Sequence, residues 1–132
     1  MSHHQRPLSP HLQVYRLPML AVISFTHRAT GVFLSVAALI IPLLLITLAC
    51  GEDAYLQLQT YLSAWYGKAF LFALSLAMCF HLLNGIRHLF WDAGLNLDVS
   101  GAEKSGIVVI ALSLILTTSI WLLACGIVGG TV

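Results

Sequence analysis

Apolar residues run almost unbroken through residues 29–50, 69–86 and 105–132, and none of these stretches holds an Asp, Glu, Lys or Arg. About 20 apolar residues in a helix cross the roughly 30 Å of a bilayer's hydrocarbon. The first and third stretches suffice alone, and the second does so by extending into its polar flanks. The pattern predicts an all-α membrane protein of one domain, residues 1–132, with transmembrane helices over about 22–49, 68–90 and 106–126. Pro7, Pro10 and Pro18 punctuate the start, and proline both removes a backbone donor and biases its predecessor away from helix. Residues 1–20 are therefore expected to form an irregular or briefly helical arm. Pro42 falls inside the first helix, where a kink is expected.

The connections carry their own patterns. Gly51 stops the first helix, and Glu52, Asp53, Tyr55, Tyr61, Trp65 and Tyr66 follow it. Aromatic side chains at this density suit the headgroup boundary, with Leu56, Tyr61, Leu62 and Trp65 forming a short helix in that plane. The second connection, "WDAGLNLDVSGAEKSG", is polar and holds Asp92, Asp98, Glu103 and Lys104.

Composition agrees with the pattern: 59% of residues are hydrophobic and 8% charged, against roughly 25% charged in soluble domains. The net charge of +1 gives no footprint for nucleic acid. Arg6, Arg16, Arg28, Arg87 and Lys104 cluster at the N-terminus and second connection, whereas the first connection holds only Lys68. Positive residues favour the cytoplasmic side, so the N-terminus is expected in the cytoplasm. The first 20 residues lack a continuous apolar core and the look of a transit sequence. A bacterial inner membrane is the expected setting, ahead of a mitochondrial one. Cys50, Cys79 and Cys125 form neither CxxC nor CxxCH, so zinc knuckles and covalent haem attachment are not indicated.

The polar residues inside the apolar runs carry the chemistry. In "FHLLNGIRHLFWD", residues 80–92, His81 and His88 share a helix face about 10 Å apart along the axis. Asn84 and Gly85 fall on the same stripe. An imidazole deep in a bundle beside a bare glycine patch suits iron and a flat porphyrin, although a lone intramembrane histidine also serves as a helix-to-helix hydrogen bonder. The deeper His81 is the candidate haem ligand, and His88 the partner of something polar such as a propionate. At the start of the first helix, "SFTHRATG" sets Ser24, His27 and Arg28 along one edge, with Gly31 a turn beyond His27. Antiparallel helices bring Ser24, His27, Arg28, Arg87, His88 and Asp92 to one depth. Cations there would neutralise propionates, and a hydroxyl beside a fixed cation would hydrogen-bond a quinone carbonyl. Because His3, His4 and His11 lie in the arm, a six-coordinate iron would need its second ligand from a partner chain. A small proton or anion transport subunit without haem is the competing reading.

Three ordered motifs, "RPLSPHLQVY" (6–15), "SFTHRATG" (24–31) and "HLLNGIRHLFWD" (81–92), together resemble the large cytochrome b membrane-anchor subunits of succinate dehydrogenase, respiratory complex II. The resemblance implies half of a haem-binding helix bundle. It assigns His81 as an axial ligand of haem b and hence a metal ligand, His27, Arg28 and His88 to the propionate side, and Ser24 and Arg28 to ubiquinone. It implies a small anchor subunit supplying the other axial histidine, an iron-sulfur subunit and a flavoprotein subunit. With no flavin fold and no cluster motif, the chain alone is expected to be non-catalytic. An anchor of a fumarate reductase is the close variant.

Overall fold

The computed structural model describes residues 16–129; the "RPLSPHLQVY" motif and the three arm histidines lie outside the described residues. The rest is helix joined by short connections: α1 (Met19–Ala37), α2 (Ile40–Ala49), α3 (Glu52–Ser63), α4 (Trp65–Asp92) and α5 (Val99–Gly129). Residues Met19–Ala49, Trp65–Asp92 and Val99–Gly126 are each long and apolar enough to cross a membrane. The protein is all-α and multi-pass, as its apolar pattern predicts.

Burial is inverted relative to a water-soluble bundle. Asn84 is 0% exposed and Arg87 5%, while Leu122 and Leu123 are 69% and 67% exposed. Ser113 and Thr117 are also buried. Such a molecule needs an apolar surrounding, because backbone and polar side chains must find partners inside while aliphatic side chains meet lipid or apolar protein. Ser113 and Thr117 donate their hydroxyls to the carbonyls of Ile110 and Ser113, each at 2.8 Å. Each thus satisfies itself within α5.

The first span is interrupted at Ala38 and Leu39, which keep helical dihedrals. Pro42 cannot donate to the Ala38 carbonyl four residues back; Ile41 N–H bonds that carbonyl instead at 3.1 Å. The interruption therefore leaves no orphaned acceptor at Ala38. Beyond it α2 packs against α3. Gly51, at φ 102°, turns the chain between them, a backbone conformation that side chains disfavour. Glu52 and Asp53 occupy the first turn of α3, where the helix dipole favours anions. Extended Ala64 then starts α4.

α4 is the central element, packed along α5 and against α1. Ile23, Phe80 and Val109, one from each of α1, α4 and α5, form the apolar core with Met19 and Leu83. After α4, the Trp91 indole N–H donates to the Asn96 carbonyl at 3.0 Å. Asp98 then accepts Gly101 N–H at 2.7 Å. This is an N-cap, and it starts α5 at Val99, ahead of the charge-free run.

Candidate functional site

α1 and α4 run antiparallel, which brings the first half of α1 against the last half of α4. Three imidazoles meet there. The His27 and His81 rings stack with centroids 4.2 Å apart and planes 25° from parallel. His88 lies on the same cluster, 5.2 Å from His27, and the Trp91 ring meets His88 edge-on at 4.9 Å.

The surroundings of His81 are set by α1. Its Nδ1 lies 3.2 Å from the His27 carbonyl and 3.2 Å from Thr30 Oγ1. The Thr30 hydroxyl donates its single proton to the same carbonyl at 2.9 Å. Both neighbours of Nδ1 are therefore acceptors, and Nδ1 must be the protonated nitrogen. Nε2 is left with its lone pair and makes no hydrogen bond to a described residue. A side chain at position 31 would place its Cβ 3.0 Å from His81 Cε1, so the glycine there is what lets the ring lie against α1. A Cβ at Gly85 would meet nothing within 4 Å, and the face of α4 beside His81 is open. The His27 Nε2 is buried with no partner among the described residues.

Ser24 and Arg28 form a separate pair one helical turn apart. Arg28 Nη2 donates to Ser24 Oγ at 3.1 Å. Thr26, Thr30 and Ser35 of the same helix spend their hydroxyl protons on main-chain carbonyls. Ser24 makes no such bond among the described residues. Its oxygen is taken by Arg28 and its proton is free, on a side of α1 where Arg28 itself is exposed.

Arg87 does not join the histidines. Its side chain turns into the α4–α5 seam and donates from Nε to Ser105 Oγ (2.9 Å), from Nη1 to Asn84 Oδ1 (3.2 Å) and from Nη2 to the Ala102 carbonyl (2.7 Å). The guanidinium carbon also sits 4.1 Å from the Trp91 ring centroid. It is a helix-to-helix clamp, and through Trp91 it borders His88. Asp92 is exposed and makes no ion pair among the described residues. Of the six groups expected at one level, His27 and His88 cluster with His81, Ser24 pairs with Arg28, and Arg87 serves packing.

A family of succinate dehydrogenase/fumarate reductase transmembrane subunits matches residues 2–120. The chain belongs to that family. Among family relatives, the succinate dehydrogenase cytochrome b556 subunit of Paracoccus denitrificans is 40% identical over 111 residues, 84% of this chain and 85% of the relative. The subunit of the same name from Rickettsia felis is 39% identical over 90% of this chain and 93% of its own. The mitochondrial cytochrome b560 subunit of succinate dehydrogenase from Homo sapiens is 35% identical over 83% of this chain and 66% of the relative. The family match spans both helical motifs, so all three histidines of the cluster lie within it.

Two contributors had weak signals in the sequence. Thr30 reads as one hydroxyl among several at the start of a helix, and Gly31 only as a small residue a turn from His27. Their partner lies 51 positions beyond Thr30, and no periodicity within one helix relates residues so far apart.

Proposed function

We propose that this chain is the cytochrome b membrane-anchor subunit of a succinate:ubiquinone oxidoreductase, holding haem b between itself and a small anchor subunit and forming part of the ubiquinone-reduction site. The observation that carries the reading is the set of contacts around His81. With Nδ1–H held by two acceptors, Nε2 keeps its lone pair with no hydrogen-bond partner among the described residues, and metal-ligating histidines likewise have their other ring nitrogen fixed by an acceptor. The donor chemistry and the bare Gly85 face fit a haem. Haem b, when bound, supplies a one-electron redox centre. His27, whose Nε2 has no partner among the described residues, would with His88 and Arg28 meet the propionates.

Ser24 and Arg28 suit a quinone carbonyl. Arg28 donates to the Ser24 oxygen and so polarises the hydroxyl, which strengthens its free proton as a hydrogen-bond donor. The exposed guanidinium keeps further donors for oxygen that gains negative charge as quinone is reduced. This chain orients the quinone head and stabilises its charge; the electrons come from an iron-sulfur subunit fed by a flavoprotein subunit. The N-terminus faces the cytoplasm of a bacterial inner membrane, and both soluble subunits dock on that side. The curated relatives named above all carry the name succinate dehydrogenase, which favours succinate oxidation over fumarate reduction.

Mild-detergent purification with a reduced-minus-oxidised visible spectrum tests the reading. The expected result is a haem b signature, with a second small membrane chain, an iron-sulfur protein and a flavoprotein co-purifying. A colourless preparation of the intact assembly would overturn it.

A further inference from the structure

Thr30 is proposed for neither the haem iron, the propionates nor the quinone, yet its hydroxyl touches both His27 and His81. Within α1 it donates to the His27 carbonyl at 2.9 Å, and across to α4 its oxygen lies 3.2 Å from His81 Nδ1. The hydroxyl can donate only once, so toward His81 it acts as acceptor. The His81 Nδ1–H is shared between this oxygen and the His27 carbonyl. Two acceptors from one turn of α1 define a direction for the N–H bond in a way that a single carbonyl does not. The ring plane is then fixed on its other side by the stacked His27 and by the close approach at Gly31.

We propose that Thr30 is a positioning residue for haem ligation: with the His27 carbonyl it accepts the Nδ1 proton of His81 and holds the imidazole in the tautomer and rotation that offer Nε2 to iron. The proposal rests on the haem reading above. An acceptor at Nδ1–H also raises the basicity of the ligating nitrogen and so favours the oxidised iron. Removing the hydroxyl while keeping the side-chain shape should therefore move the haem midpoint potential in the positive direction.

The test uses the purified complex carrying Thr30→Val, Thr30→Ser or His81→Leu, with haem-to-protein ratio, midpoint potential and low-temperature electron paramagnetic resonance of the oxidised haem as readouts. Thr30→Val is nearly isosteric and lacks the acceptor, whereas Thr30→Ser keeps it. A positive shift of potential with an altered resonance in Thr30→Val, and wild-type values in Thr30→Ser, is the expected result. Loss of haem in Thr30→Val with retention in Thr30→Ser supports the same assignment. An unshifted Thr30→Val, or equal effects in both Thr30 variants, overturns it. His81→Leu separates this proposal from the one beneath it. If that variant keeps an unchanged axial signature, ligation by His81 itself fails. If it loses the signature while Thr30→Val stays as wild type, only the role of Thr30 fails.

Discussion

His27 and His81, from helices that run in opposite directions, stack ring on ring at 4.2 Å with 25° between their planes. The stack buries His27 Nε2 without a partner among the described residues, and an unpaired buried polar atom costs about 1–3 kcal/mol. A group from outside the chain is the natural recipient. His27→Phe keeps a flat ring on His81 and removes that nitrogen. If Nε2 serves a haem propionate, the variant should hold haem about 10- to 150-fold more weakly, corresponding to a loss of about 1.5–3 kcal/mol, with subunit composition unchanged. Titrated haem release from the purified complex measures it.

Replacing the candidate ligand itself should have a larger effect. His81→Leu should perturb or abolish the haem spectrum, because the α1 contacts occupy Nδ1 and leave Nε2 as the nitrogen with a lone pair to give a metal. An unchanged spectrum would move ligation to another residue.

Ser24→Ala and Arg28→Leu remove the two halves of one hydrogen-bonded pair. Either change should lower quinone reduction about ten-fold or more, the loss expected of one hydrogen bond to developing charge. Succinate oxidation assayed with a soluble dye should stay near wild type. Equal loss of both activities would assign the pair to assembly.

Arg87 is a matter of stability. Arg87→Met leaves Asn84 Oδ1 without its donor in a buried seam, while the Ala102 carbonyl keeps the Ser105 hydroxyl. Interhelical hydrogen bonds within membranes are worth about 0.6 kcal/mol on average and about 1.7 at most. The variant should lose about 1–2 kcal/mol of resistance to thermal or denaturant unfolding in detergent. Its quinone affinity should be unaffected, since the guanidinium faces α5.

Two glycines separate chain packing from ligand packing. Gly31→Ala brings a Cβ to 3.0 Å from His81 Cε1, tighter than ordinary van der Waals contact, so the ring must shift and the haem spectrum with it. Gly85→Ala meets nothing within 4 Å in this chain. It should leave the unfolding midpoint of the helices in place and lower haem occupancy, if the porphyrin lies on that face. Full occupancy in Gly85→Ala would assign the face to lipid.

The amino-acid sequence by itself determined the three crossings, because a charge in hydrocarbon is costly wherever it falls and charge-free runs of sufficient length mark the spans without reference to any neighbour. It also determined that His81 and His88 share a face of one helix, since that follows from 3.6 residues per turn alone. Where α5 begins was less legible: the Asp98 cap, not the hydrophobic boundary, sets it, and the helix takes in Glu103 and Lys104 before the apolar run starts. Only the tertiary structure decided that Arg87 turns into the α5 seam, that His27 lies on His81, and that Thr30 reaches His81 Nδ1. Periodicity gives each side chain its angle around its own helix. The angle at which one helix is rotated against the next comes from packing among residues 15 to 54 positions apart, and that rotation chooses which polar groups meet.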